Sequence, residues 1–163
     1  MTSKRRREIK IILLIASLIL TLFFLKSNHA VYANNAYLYF DGIPKTLSED
    51  DIGTEITAKI MLGNANSVFS VNMTVFYDSS MIELLDNDAS MNGINLKANP
   101  LFGMIKWNEA RILENGLSTI KFTGLSLDSP LQGNSIEIAE MKFKVKKSGV
   151  AHFVFKESNI ETT

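Results

Sequence analysis

Phe69-Ser70-Val71-Asn72-Met73-Thr74-Val75-Phe76-Tyr77 is the stretch on which the fold turns. Val71, Met73, Val75 and Tyr77 fall on one side of an extended chain, and Ser70, Asn72 and Thr74 fall on the other, because successive side chains of a strand point to opposite faces. One side is built to be buried and the other to stay wet, which is the pattern of an antiparallel sheet packed on a single core. Beyond Tyr77, Asp78 can fold its carboxylate back onto the following turn, and Ile82 and Leu84 return to the core.

The same period of two recurs on both sides of this stretch. Tyr37 to Phe40, Glu55 to Leu62, Leu117 to Leu125, Ile136 to Val145 and Ala151 to Phe155 read as further strands. Turns are signalled at Asn64 to Asn66, Met91-Asn92-Gly93, Asn99-Pro100, Asn115-Gly116 and Gly133-Asn134. Met141, Phe143 and Val145 face one way and Glu140, Lys142 and Lys144 the other. Lys147-Ser148-Gly149 then predicts a tight turn and a hairpin with Val150 to Phe155. Met104 to Leu113 is ambiguous: Met104, Trp107 and Ile112 sit near helical spacing while Ile105 and Trp107 alternate. The reading adopted there is a strand followed by a loop or short helical turn. Short alternating segments broken by Gly, Asn, Asp and Pro make a single all-β sandwich or barrel.

Residues 1–33 read differently from the rest. Lys4 to Lys10 form a basic flank, and Ile11 to Leu25 form an uncharged apolar run of 15 residues closed by Lys26. As a helix that run reaches roughly 22 Å, short of a hydrocarbon core of about 30 Å. Val31-Tyr32-Ala33 places short side chains where a signal peptidase reads, so residues 1–33 are expected to be an export signal cleaved before Asn34. The alternative is an uncleaved N-terminal anchor, the only membrane association expected. Either way the basic flank stays cytoplasmic and residues 34–163 lie outside, secreted or at a bacterial cell surface.

The zero net charge of the chain conceals an asymmetry. After residue 33 there are 16 Asp and Glu against 11 Lys and Arg, a net of −5, and an acidic domain has no long-range attraction for phosphate backbones. Nucleic acid is not an expected partner. The absence of Cys removes disulfides, thiolate metal sites and a thiol nucleophile.

Catalytic groups are scarce. His29 falls in the export segment, leaving His152 as a surface residue of a strand, so neither a Ser-His-Asp arrangement nor a histidine-rich metal site is expected. Glu109, Glu114, Glu137 and Glu140 could in principle pair for glycoside hydrolysis, but no local pattern singles out two of them. Asp86-Asn87-Asp88-Ala89-Ser90 invites a calcium-loop reading that fails, because Met91 stands where glycine and Lys97 where glutamate is needed; an Asx-rich turn is expected instead. No cofactor, metal site or catalytic residue is assigned. Lys142, Lys144, Lys146 and Lys147 read as solubility and edge protection.

Two stretches carry a family likeness. Residues Phe69 to Leu85, an alternating strand running into Tyr77-Asp78-Ser79, two further residues, the branched aliphatic Ile82, Glu83 and another aliphatic, resemble the cohesin pattern. Ile138 to Gly149 is similar to that family's late strand and turn, and Tyr37 to Phe40 and Glu55 to Leu62 sit where its first two strands would. Ser79 stands where the family has proline, and the sequence ends at Thr163, where cohesins commonly continue into a last strand. Related bacterial carbohydrate-binding modules share versions of the pattern.

The resemblance implies a jelly-roll sandwich of about nine strands over residues 34–163. It implies a non-catalytic module that docks a dockerin through the outer face of one sheet, in polysaccharide degradation or surface assembly. The family's two contact positions fall on Ser70 and Asn72, and Thr74 and Phe76 continue the row, with Phe76 as an apolar anchor. Thr119, Lys121 and Thr123 would extend the face from another strand. The alternatives are a carbohydrate-binding module, for which an exposed Trp107 would stack on a sugar ring, and a structural adhesin or envelope domain.

Overall fold

In the computed structural model, residues 35–112 and 117–162 are described. They belong to the compact unit Asn34–Thr163. Residues 1–33, expected to be an export signal, and the expected turn at Asn115-Gly116 lie outside the described residues. Among the described residues no helix is long and apolar enough to cross a membrane, and the one helical element is a 3-10 turn at Glu49–Asp51.

Eight strands follow in order: β1 (Tyr37–Asp41), β2 (Glu55–Asp78), β3 (Ile82–Leu85), β4 (Lys97–Ala98), β5 (Met104–Ile112), β6 (Leu117–Leu125), β7 (Leu131–Val145) and β8 (Phe153–Thr162). Sequence reading divided β2 into two strands, and the structure makes it one of 24 residues. Drawn straight it would run about 80 Å, far beyond a domain of this size, so it has to bend. It does so at Asn64 and Ser67, both at positive φ (51° and 55°), where the pairing with β7 also shifts between Ala65 and Val68. Asn tolerates the left-handed region better than most residues, and the turn signal at Asn64 to Asn66 is realised as a bulged corner within a strand.

The corner gives β2 two limbs in two sheets. Residues 55–63 pair with β1 on one side and β7 on the other, and β7 in turn pairs with β3 and β4. Residues 68–78 pair with β8 and β6, and β6 pairs with β5. All these pairings are antiparallel. We call the first set sheet I and the second sheet II.

The inward rows of the two sheets make one core. Ala58, Ile60 and Leu62 with Met141, Phe143 and Val145 come from sheet I, and Val71, Met73, Val75, Ile120 and Phe122 from sheet II; all are buried. Between β1 of sheet I and β8 of sheet II, which share no ladder, aromatic rings fill the core. Phe40 stacks on Phe155 at 4.2 Å between centroids, and Phe153 meets Phe40, Tyr77 and Phe143.

Two expectations are corrected. Residues 140–145 and 150–155 do not form a hairpin, because β7 stays in sheet I while β8 crosses to sheet II. Burying Phe153 and Phe155 against Phe40 and Tyr77 requires that crossing. Gly149 instead bridges Leu47 through reciprocal backbone hydrogen bonds of 2.7 and 2.9 Å. Met104 to Ile112 is strand throughout, with no helical turn. The near-helical spacing arises from a bulge between Ile105 and Trp107, which slips Lys106 in as an extra residue.

Candidate functional site

Register alone builds the outer face of sheet II as four rows across β5, β6, β2 and β8. Met104, Leu125, Ser70 and Glu161 form the first; Trp107, Thr123, Asn72 and Asn159 the second; Glu109, Lys121, Thr74 and Glu157 the third; Arg111, Thr119, Phe76 and Val154 the fourth. Strand spacing and pleat fix these neighbours, so the face is a flat plate of side chains held by backbone ladders.

Its centre is uncharged and polar. Thr123 donates its hydroxyl to Asn72 Oδ1 at 3.0 Å, tying β6 to β2. Trp107 stands 49% exposed at the edge of this region. At one end Phe76 is half-buried, with Lys156 Nζ 4.8 Å from its ring centroid, a cation-π contact. Arg111 and Glu109 pair at 2.9 Å. The Arg111 guanidinium holds the Glu109 carboxyl below its usual range, with Lys121 adding to the effect.

The outer face of sheet I has the opposite character. Asp41, Lys59, Glu140 and Lys97 lie opposite one another across β1, β2, β7 and β4, and Glu55, Lys144 and Glu83 do so across β2, β7 and β3. Lys59 pairs with Glu137 at 2.8 Å, and Lys142 pairs with Glu55. Lys59 is held above its ordinary value by that hydrogen bond and charge, and Glu55 below its own by Lys142.

The Tyr-Asp turn that opens onto β3 is also built as its chemistry requires. The backbone N–H of Ser80 donates to Asp78 Oδ1 at 2.8 Å and that of Met81 to the Asp78 carbonyl at 3.1 Å. Ile82 and Leu84 are then buried. Lys146 Nζ donates to the Ser79 carbonyl at 2.7 Å, fastening the turn in the absence of a proline.

The Cohesin domain model matches residues 43–162, most of the chain. The chain belongs to the cohesin family. Solved structures of similar fold include a type I cohesin of Clostridium thermocellum, Coh-OlpC in complex with Doc435. It is 16% identical, with 78% of this chain and 81% of that one covered and a TM-score of 0.56. The second type II cohesin module of the cellulosomal adaptor ScaA scaffoldin of Acetivibrio cellulolyticus is 12% identical over 78% of this chain and 90% of that one, with a TM-score of 0.57. A type II cohesin domain from the cellulosome of the same organism is 16% identical over 75% of each chain, also at 0.57. These likenesses are of fold. No curated protein matches the sequence.

In this cohesin domain the expected row on residues 70–76 and the expected extension on residues 119–123 come together as neighbouring columns of sheet II. Their exposure is uneven. Asn72 and Lys121 are exposed and Thr74, Phe76 and Thr123 half-buried, but Ser70 and Thr119 are each only 7% exposed. Both are short side chains in the interior of the plate. Ser70 is flanked by Leu125 and Glu161, Thr119 by Phe76 and Arg111, and these longer neighbours cover them. Trp107 joins the same face instead of the core, next to Thr123.

Lys106 and the β8 column of Glu157, Asn159 and Glu161 were missed from sequence. The alternation in β8 changes parity at a bulge between Phe155 and Glu157, where Lys156 is the extra residue. Phe153 and Phe155 face inward before it, and Ser158 and Ile160 after it. Allowing one parity slip would have recovered the strand to Thr162. Among the weighed carboxylates, Glu109 and Glu137 are in ion pairs and Glu140 accepts from Asn87 Nδ2 at 3.0 Å; Glu114 lies outside the described residues. Asp86 and Asp88 accept from backbone N–H groups two residues on, as Asx turns do. His152 is exposed.

Proposed function

We propose that the chain is an exported, non-catalytic protein-binding domain, residues 34–163, that docks a dockerin-bearing protein through the outer face of sheet II. Its setting on this reading is polysaccharide degradation or surface assembly, outside the cell or at its surface. The observation that carries the reading is the contrast between the two outer faces. Sheet I sets opposite charges against one another across strands, while sheet II presents a shallow polar floor of Ser70, Asn72, Thr74 and Thr123 with an exposed aromatic beside it, the composition of an interface core. Solved relatives of the same fold are complexes with dockerins, which supports the choice of partner. The strand path is read as the family's jelly roll.

Calorimetric titration against dockerin modules from the same genome tests this directly. Binding is expected, and the double substitution Asn72→Ala/Thr123→Ala, which removes the hydrogen bond at the centre of the plate, should weaken it by about 2 kcal/mol or more. Titrations without heat for every dockerin would overturn the choice of partner. The exposure of Trp107 favours a second reading, stacking on a glycan; retention on insoluble cellulose that is lost in Trp107→Ala would establish it.

A further inference from the structure

The depression in the outer face of sheet II has walls of opposite charge. Its volume is ≈ 500 Å³; Lys106 and Lys121 stand on one wall and Glu157 and Glu161 on the other, with Trp107 and Leu125 beside the lysines. All four charged residues are exposed, and among the described residues none of them is in an ion pair. β6 and β8 flank β2 on opposite sides, so Lys121 and Glu157 emanate from backbones about 10 Å apart, with Thr74 between them. Among the described residues no ion pair joins the two across Thr74. Of the remaining charges of the face, Glu109 lies opposite Lys121 in the register and is paired with Arg111, and Lys156 lies over the Phe76 ring and lines a second hollow beside Glu157.

Resting on the docking role proposed above, we infer that this face selects a partner of matching polarity and admits it in one orientation. The partner's contacting segment carries an apolar side chain that seats against Trp107 and Leu125, carboxylates beside it facing Lys106 and Lys121, and a Lys or Arg facing Glu157 and Glu161. A partner turned end for end in the plane brings like charges together on both walls, and juxtaposed like charges oppose binding. The four charged residues therefore determine specificity, while the uncharged centre supplies the common contact area. They are dispersed along the sequence, and only the register of three strands on β2 and β6 assembles them.

The test needs no knowledge of the natural partner. Amide shifts of the full chain are followed by NMR at low salt while octaglutamate or octalysine is added. Octaglutamate is expected to perturb residues 105–107 and 121–125, and octalysine residues 157–161, with both effects lost at high salt. The fourfold reversal K106E/K121E/E157K/E161K should exchange the two footprints while leaving the unfolding midpoint near that of the parent, since all four side chains are on the surface. Coincident footprints, absence of either footprint from this face, or footprints unmoved by the reversal would each overturn the inference. A parent chain that shows the two separate footprints yet binds no dockerin keeps its polarity and loses the dockerin as occupant, so the two failures are distinguishable. Where a dockerin does bind, K106E/K121E should reduce its affinity at least tenfold, chiefly through slower association at low salt.

Discussion

The two outer faces of this sandwich are made by the same strand, β2, yet they are finished in opposite ways. On sheet I charges stand opposite their counterparts on neighbouring strands, and Lys59 with Glu137 and Lys142 with Glu55 form ion pairs. On the two middle strands of sheet II the outward polar groups are short and, Lys121 apart, uncharged, while Lys106 and the pair Glu157 and Glu161 stand to either side and Trp107 is left in solvent. Burying a charge is costly and burying a short hydroxyl or amide is much less so, which makes the second face the cheaper one to cover. The two faces differ in desolvation cost while sharing one core.

That sharing is the first thing to break. Phe122 of β6 and Phe143 of β7 are fully buried from opposite sheets, and Phe122→Ala or Phe143→Ala should each lower stability by about 3–5 kcal/mol. Urea unfolding followed by fluorescence and by circular dichroism should show one coincident transition in both variants; separate transitions would mean that the sheets unfold independently. Next in size is the contrast in binding. Trp107→Ala should cost about 2 kcal/mol or more of partner affinity, whereas Lys59→Ala and Lys142→Ala, on the charge-paired face, should leave affinity unchanged in the same calorimetric titration.

A smaller effect is expected at the edge of sheet II. Asn108, buried in β5, uses its side-chain amide as a piece of strand: its Oδ1 accepts from Leu96 N–H at 2.9 Å and its Nδ2 donates to the Leu96 carbonyl at 2.6 Å. Asn108→Ala strands two buried backbone groups and should cost about 1–3 kcal/mol in chemical unfolding. The smallest effect is that of pH. Glu55, Asp78 and Glu109 are held below their ordinary values by Lys142, Ser80 and Arg111 respectively. Their contributions are present above the unfolded carboxylate range and are lost as the pH falls through the folded values. Urea midpoints measured from pH 7 downward should therefore decline below about pH 4, with a shallower fall in Glu55→Gln. Lys59 behaves in the opposite sense. Its folded value is raised, so its contribution is complete below the ordinary lysine value of 10.5 and is lost as the pH rises through the folded one.

The segments whose side chains alternate without interruption were legible from the amino-acid order. Val71, Met73, Val75 and Tyr77 are the buried row they were read to be, and the Tyr77-Asp78 turn delivers Ile82 and Leu84 to the core. What the order concealed were places where one residue is added to a ladder. Lys106 and Lys156 each shift the parity of a strand, and so β5 resembled a broken helix and β8 was cut short at Phe155. Burial of Ser70 and Thr119 was also illegible, since it depends on the length of neighbours brought alongside from other strands. The missing half of the candidate face, Glu157 to Glu161, was hidden for the first of these reasons.

The 24-residue β2 has consequences for how the molecule opens. Over Lys59–Gly63 it is paired on either side, to β1 and β7, and over Ser70–Tyr77 to β6 and β8, so few amides in the middle of each limb can reach water without parting a ladder. Deuterium should enter β1 and the ends of β8 by fraying, while the middle of each limb of β2 exchanges through global unfolding alone. An occupant clamped on sheet II would thus slow deuterium uptake in the limb belonging to sheet I, which it never touches.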